Sequence, residues 1–321
     1  MLLPAMFIVP QSATAAQWQA DVGAASRDQA LQAMAFLPNE LWIHAGDSIT
    51  WTSRTGEGHT VTFLTPSQIR PPFPDGCPGV TPSGSDFTGA TCVNSGPFVG
   101  ASYNVKFPNP GNFKLVCLIH QDMTGVVHVL KLSETLPHNQ AFYDDLAEHQ
   151  ARVLISDTDR ITDDDHPGRS HRFENSRNSV VVTGETVATG GGKSFLAVMR
   201  FLPETIQVHV GETVEWTSFH PSEPHTVTFG TEPPDPLTPV GVTADSDGAL
   251  HGTVPNAATS DSVSSGLFGP SPQELTGLPQ MPLGVTRVRV TFTQPGTYDY
   301  ICAIHDELGM KGKVIVVRKV K

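Results

Sequence analysis

The sequence predicts an all-β protein made of two tandem sandwich domains, and three observations support this prediction. The chain has 321 residues, enough for two domains of ordinary size. Glycine and proline number 29 and 27, while only 16% of the residues are charged, which is typical of short strands joined by many turns. The third observation is that parts of the first half recur in the second.

This internal repeat defines the organisation of the chain. Phe36-Leu37-Pro38 recurs as Phe201-Leu202-Pro203 at an offset of 165 residues, and Tyr103–Phe107 matches Val288–Phe292 at an offset of 185. The second copy therefore has about 20 extra residues between these two matches. We interpret residues 231–283, which are rich in Pro, Gly and Ser, as a long surface loop that contains this extra length.

Within each copy the pattern is that of β-strands. Residues 206–210 and 288–292 alternate apolar and polar side chains, as half-buried strands do. Pro110-Gly111 and Pro295-Gly296 are turn signals at matching places. Each half is therefore expected to form a β-sandwich.

Two segments have a helical pattern instead. Residues 137–155 contain an apolar stripe among charged residues, formed by Phe142, Leu146, Val153 and Leu154. We predict a short helix there, followed by an acidic, solvated linker over residues 157–177. A second candidate, Ser26–Met34, is disfavoured because its counterpart in the second copy begins with glycines.

The predicted organisation has four parts. Residues 1–16 are expected to be a signal segment, because a short apolar run precedes small residues of a cleavage site. Residues 17–133 form the first domain, 134–177 the helix and charged linker, and 178–321 the second domain. No stretch is long enough for a transmembrane helix, so we expect a soluble, exported protein, periplasmic or extracellular.

The four cysteines divide into two pairs by context. Cys77 and Cys92 lie in a loop rich in Pro and Gly, and we expect them to form a disulfide, which fits an oxidising compartment. The alternative is two unpaired loop thiols. Cys117 and Cys302 each precede a histidine by three residues, as in a metal-binding motif.

The charge of the chain limits its partners. The net charge is −12 and the pI is about 5.4. Nucleic acids and anionic membrane surfaces are therefore poor partners, whereas a redox protein with a basic docking face is well matched.

Both copies carry the same set of potential metal ligands. Each set contains two histidines, one cysteine and one methionine in the same order, namely His59, Cys117, His120 and Met123, and His225, Cys302, His305 and Met310. Two imidazoles, a thiolate and a weak axial thioether are the ligands of a blue-copper electron-transfer site. We expect two copper ions per chain, one per domain.

Two alternatives to copper remain for each ligand set. The sandwich could lack a metal, with Cys and Met packed in the core. Zinc also accepts Cys and His, but Met is an unusual zinc ligand and copper generally binds more tightly.

These motifs resemble the cupredoxin family of plastocyanin, azurin and amicyanin. The spacing of Cys117, His120 and Met123 is similar to that of amicyanin, and the spacing in the second copy is similar to those of plastocyanin and pseudoazurin. The resemblance implies a Greek-key sandwich per domain and transfer of single electrons. It also implies that the histidine between the copper cysteine and methionine of each domain, His120 or His305, reaches the surface as an electron gateway.

The resemblance argues against an enzyme. Oxidases and nitrite reductases of this kind place a histidine directly beside the copper cysteine, whereas here Val116, Leu118, Ile301 and Ala303 flank the cysteines. We therefore predict an electron carrier with one blue copper site per domain. The main alternative is a copper-carrying or copper-buffering protein, and the oligomeric state stays open.

Overall fold

The fold is described from a computed structural model of the chain, which describes residues 15–71, 77, 79–120, 122–156, 178–188, 193–218, 223–254, 262–269 and 284–319. The predicted signal segment lies mostly outside these residues, and so does the predicted acidic linker. Among the helices in the described ranges, none is both long and apolar enough to cross a membrane.

The described residues are mostly β-strand in both halves. The strands of the first half are β1 (Gln17–Ala25), β2 (Leu31–Leu37), β3 (Glu40–His44), β4 (Ser48–Ser53), β5 (Thr62–Phe63), β6 (Ser85–Asp86), β7 (Val93–Asn94), β8 (Ser102–Lys106), β9 (Gly111–Val116) and β10 (Thr124–Leu130). Helix α1 (Gln140–Ser156) follows. The strands of the second half are β11 (Asn178–Ala188), β12 (Phe195–Leu202), β13 (Thr205–His209), β14 (Thr213–Thr217), β15 (Thr228–Gly230), β16 (Val242–Ala244), β17 (Leu250–Val254), β18 (Ser262–Ser264), β19 (Arg287–Phe292), β20 (Gly296–Ile301) and β21 (Lys311–Val317).

Each half is a sandwich of one small sheet and one part of a large shared sheet. The small sheets have the orders β3-β10-β9-β5-β7 and β13-β21-β20-β15-β18, which are equivalent strand by strand. The large sheet has eleven strands in the order β16-β17-β19-β14-β11-β12-β2-β1-β4-β8-β6. The prediction of two tandem all-β sandwiches is confirmed.

The large sheet is continuous because β2 and β12 pair in antiparallel fashion across the two halves. Leu196 lies opposite Ala33, and Ala197 lies opposite Gln32. Gln32 and Ala197 are equivalent positions of the repeat, since their numbers differ by its offset of 165. An approximate two-fold axis therefore passes through this pair, as in an isologous interface.

The central strands are buried on both faces. Every side chain of β2 is buried. One face of β2 and β12 packs into the core of the first sandwich, which Phe195, Ala197 and Met199 of the second half join. Helix α1 covers the other face, where Ala147 and Leu154 pack on a group formed by Ala30, Leu31, Ala33, Ala35, Leu37, Leu196 and Val198.

Helix α1 is where we predicted it, but its buried face is different. Asn139 caps it, because the Phe142 N–H donates to its side-chain oxygen at 3.0 Å. Its buried residues are Tyr143, Ala147 and Leu154, whereas Phe142 and Val153 of the predicted stripe are exposed. Of the predicted stripe Leu154 is buried, and it packs with Ala147 on residues of both halves.

One other expectation differs from the structure, and the disfavoured helix candidate is absent. The Ser26–Met34 segment forms a turn and the start of β2 rather than a helix. The segment 231–283 contains the strands β16, β17 and β18, and β17 pairs with β19 at the edge of the large sheet. The interpretation of this segment as one long loop is therefore wrong for its described part. The predicted disulfide is present, since Cys77 and Cys92 are bonded with their Cα atoms 5.5 Å apart.

Candidate metal centres

The first ligand set lies at one end of the first sandwich. Cys117 directly follows β9 and Met123 directly precedes β10, so the short loop between these paired strands holds Cys117, His120 and Met123. The Cys117 N–H donates to the Met123 carbonyl at 3.1 Å, which closes the loop. His59 comes from a different part of the small sheet, where it bridges to Phe98.

The second set is placed in the same way between β20 and β21. The Cys302 N–H donates to the Met310 carbonyl at 3.0 Å, and His225 bridges to Phe268. The two additional residues of this loop are accommodated by a 3₁₀ turn over Asp306–Leu308. Gly309 ends that turn with a φ of 81°, a conformation that favours glycine.

In the first pocket the potential ligand atoms converge. The Nδ1 atoms of His59 and His120 are 3.0 Å apart, and the Cys117 Sγ lies 3.5 Å from the His120 Nδ1. All three side chains are fully buried. Met123 is fully buried in the same core.

The second pocket has nearly the same geometry. The Nδ1 atoms of His225 and His305 are 3.2 Å apart, and the Cys302 Sγ lies 3.9 Å and 3.4 Å from them. Met310 is fully buried. The structure thus brings the histidines and the cysteine of each predicted set together, and buries the methionine in the same domain core.

A threonine next to the upstream histidine supports each cysteine. The Thr60 N–H points at the Cys117 Sγ at 3.4 Å, and the Thr226 N–H points at the Cys302 Sγ at 3.3 Å. The Thr60 hydroxyl also accepts from the Leu118 N–H at 2.7 Å. These contacts fix the sulfur position and stabilise its thiolate form.

The donor sets fit a metal ion of the copper type. Ligands on one ion with bonds of roughly 2.0 to 2.3 Å lie about 3.3 to 3.8 Å apart, close to the separations found here. Two imidazole nitrogens and a thiolate in one plane, with a thioether nearby, suit an ion that alternates between Cu(II) and Cu(I).

One expectation from the resemblance is wrong for this chain. His120 and His305 do not reach the surface, since their exposed fractions are 0% and 5%. The β2–β12 pairing places each ligand loop against the other domain. Phe195 of the second half packs edge-on against His120, and Leu308 of the second loop joins the core of the first domain.

The outer nitrogen of each of these histidines meets a glutamate from the other domain. The His120 Nε2 lies 2.7 Å from the Glu223 Oε1, and the His305 Nε2 lies 3.5 Å from the Glu57 Oε1. Both carboxylates are buried. The contacts are reciprocal, as the approximate two-fold axis requires.

Our sequence reasoning missed these two glutamates, although a signal was present. Each stands two residues before the upstream histidine of its copy, in Glu57-Gly58-His59 and Glu223-Pro224-His225. The offset of 166 residues is that of the histidines themselves. A buried acid at this place has a role only once the two domains are in contact, which the repeat alone does not reveal.

Burial and charge perturb these groups in the metal-free pockets. Burial and the nearby charge of Glu223 raise the pKa of Glu57 to about 8. Burial by itself would raise the pKa of the Cys117 thiol, but the His120 charge and hydrogen bonds from both histidines bring it well below its usual value. In the second domain burial raises the pKa of Cys302 to about 11 and lowers that of His305 to about 4.

Part of the chain is similar in sequence to plastocyanin. Plastocyanin from Ginkgo biloba is 31% identical over 99 residues, which cover 30% of this chain and 88% of that protein. Its extent corresponds to a single domain of the two.

Solved structures also match parts of the chain, at lower identity. Oxidised and reduced structures of a mutant fern plastocyanin match with 20% identity over 43% of this chain and 100% of theirs, with a TM-score of 0.24. The reduced Cu(I) form at pH 4 of an amicyanin mutant matches with 20% identity over 36% of this chain and 82% of its own, with a TM-score of 0.25.

The sequence model of one family matches both halves of the chain. The family is described as copper binding proteins of the plastocyanin/azurin family, and the match covers residues 24–130 and 185–317. These ranges include every predicted metal ligand and together make up well over half of the sequence. The chain therefore belongs to the copper-binding plastocyanin/azurin family.

Proposed function

We propose that this protein is an electron carrier with one blue, type 1 copper site in each domain. The observation that carries the proposal is the convergence of two Nδ1 atoms and one Sγ in each of two buried pockets. His59, Cys117, His120 and Met123 would hold one copper, and the equivalent residues would hold the other. Copper in such a site supplies one-electron redox chemistry with little rearrangement of its ligands.

The two sites are proposed to exchange electrons with each other inside the protein. The outer imidazoles of His120 and His305 both face the domain interface, where they contact Glu223 and Glu57. A buried, rigid route between the sites favours internal transfer over separate docking at each histidine. One domain would then accept electrons and the other would deliver them.

The external partners and the compartment follow from charge and cysteine chemistry. A net charge of −12 suits redox proteins with a basic docking face. The Cys77–Cys92 disulfide suits an exported protein, periplasmic or extracellular. The residues beside the two cysteines, Val116 and Leu118 and Ile301 and Ala303, are not histidines, which supports an electron carrier rather than an enzyme.

Metal counting and colour test the proposal. The oxidised protein should be blue and should hold two coppers per chain, and the double variant Cys117→Ser/Cys302→Ser should lose the colour. A copper-loaded protein without a blue band would refute it. A blue protein that exchanges no electrons with a panel of basic cytochromes would instead support copper storage or delivery.

A further inference from the structure

The domain interface holds a further group of potential metal ligands beside the two predicted copper sets. Glu57 of the first domain, Glu223 of the second and His120 each place one ligand atom within 4.8 Å of the others. The group uses the Nε2 of His120, the opposite edge of the ring from the Nδ1 that faces the first copper pocket. A copper ion on Nδ1 therefore leaves this edge available.

The atoms in this group are close enough to share one small cation. The His120 Nε2 lies only 2.7 Å from the Glu223 Oε1, yet this nitrogen makes no hydrogen bond of acceptable geometry within the described residues. Without a metal ion this pair is held together by a proton on the imidazole, which a bound cation would replace.

The burial of the group also favours a bound cation. The side chains of Glu57 and Glu223 are 8% and 3% exposed. The Glu57 Oε1 has no hydrogen-bond partner within the described residues. Two carboxylates buried face to face are costly unless a cation or proton compensates them.

We propose that Glu57, Glu223 and His120 bind a third metal ion, a divalent transition-metal ion, between the two copper sites. Imidazole nitrogen and carboxylate oxygen suit Zn²⁺ and similar ions. The His305 Nε2, 3.5 Å from the Glu57 Oε1, stands beside the group as a fourth potential ligand. Binding would release to solvent the Nε2 proton of His120 and the proton that Glu57 holds, and the His120 ring would then contact both the third ion and the first copper.

The site depends on both domains and shares His120 with the proposed function. One carboxylate comes from each half of the repeat, so neither domain alone contains the site. An ion there would link the domains across the approximate two-fold axis, next to the pairing of β2 with β12.

Zinc serves as the probe in protein that has been loaded with two equivalents of copper. After equilibration with Zn²⁺ and dialysis, elemental analysis should find two coppers and about one zinc per chain. The variant Glu57→Gln/Glu223→Gln should retain two coppers and no zinc, because an amide side chain keeps the shape but loses the charge. The control Glu148→Gln/Glu232→Gln, which neutralises two exposed acids outside both ligand loops, should retain the zinc.

Two results would overturn the third site. One is a wild-type protein that keeps two coppers and no zinc, with the glutamates acting only as partners of the histidines. The other is zinc retention that is equal in the wild type and the Glu57→Gln/Glu223→Gln variant. Failure of the proposed function is a separate observation, since it appears as a copper-loaded protein without blue colour, whatever the zinc content.

Zinc binding also has an optical readout that a purely structural role would not produce. Because His120 would bridge to the added ion, zinc should change the visible spectrum of the first copper site. The spectrum should stay unchanged in the Glu57→Gln/Glu223→Gln variant. If wild-type protein binds zinc and its visible spectrum does not change, the zinc is not bound to His120.

Discussion

The two domains bring the same four types of ligand together but surround them differently. In the first domain the outer imidazole lies 2.7 Å from a carboxylate, and in the second the distance is 3.5 Å. The first ligand loop is short, and Arg70 donates a hydrogen bond to the Cys117 carbonyl. The second contains a 3₁₀ turn held by Arg200, which donates to the Leu308 carbonyl at 2.9 Å.

Without bound metal, the pKa values of the histidine and the cysteine also differ between the two pockets. The close Glu223 raises the pKa of His120 well above its usual value against the effect of burial, and the pKa of the Cys117 thiol falls. In the second pocket burial dominates, so the pKa of the Cys302 thiol is raised and that of His305 is lowered. A duplicated fold can thus keep its ligands while the contact between the copies makes their surroundings unequal.

The largest expected effect is the loss of one copper site while the other is retained. Cys117→Ser and Cys302→Ser each remove the only thiolate of one pocket, so each variant should lose one copper and the blue absorbance of one domain. Metal analysis and visible spectroscopy measure this directly. If either single variant lost both coppers, the two domains would not bind metal independently.

The next prediction concerns Leu308, which belongs to the second ligand loop but packs in the core of the first domain. Leu308→Ala should lower the free energy of unfolding by about 2 to 5 kcal/mol, as for other buried leucines. Denaturant unfolding of the metal-free protein measures it. The control Leu237→Ala, at a side chain that is 51% exposed, should change it little. Equal effects in both variants would mean that Leu308 is not held between the domains.

A smaller effect is expected from the axial ligands. Met123→Gln and Met310→Gln each replace a soft thioether, which favours Cu(I), by a harder oxygen, so each should lower the reduction potential of one site. We expect two resolved steps in a redox titration of the wild type, because the surroundings of the sites differ. A single transition that both variants shift alike would show that the sites are equivalent.

The last expected effect is a pH dependence of the free energy of unfolding of the metal-free protein. With a pKa of about 8 in the folded state against 4.5 for the ordinary carboxyl, Glu57 keeps its proton on folding at pH values where the unfolded chain has lost it. Its contribution to the free energy of unfolding should therefore fall as the pH rises from about 4.5 to 8, and then level off.

Comparison with Glu57→Gln isolates this contribution from those of the other titrating groups. The difference between wild type and variant, measured by denaturant unfolding across this pH range, should follow the slope given above. The exposed control Glu232→Gln should show the wild-type slope. A parallel pH dependence in wild type and Glu57→Gln would mean that Glu57 is ionised in the folded protein.

Much of the fold could be predicted because each copy repeats the same local patterns. Alternation such as that of residues 206–210 depends only on one buried face, and the strand β13 is found there. β2 was harder to recognise, because burial on both faces removes the alternation and leaves an apolar run. The helix position was evident, but its buried face depends on both domains and so was not.

The same distinction between local and interdomain features applies to the candidate sites. The ligand sets could be predicted because each lies within one copy at a fixed spacing. Glu57 and Glu223 could not, since their partners lie across an interface that neither copy specifies alone. The burial of His120 and His305 has the same origin.

The antiparallel pairing of β2 with β12 has a consequence for the history of this chain. A symmetric dimer of one-domain proteins, with β2 paired to its own copy around Gln32, would have the same two-fold axis. Covalent joining of two such subunits replaces association at cellular concentration by an effective concentration that is typically about millimolar. It also allows the two halves to diverge in sequence. The two sites that face each other across the β2–β12 pairing have unequal surroundings, as such divergence permits.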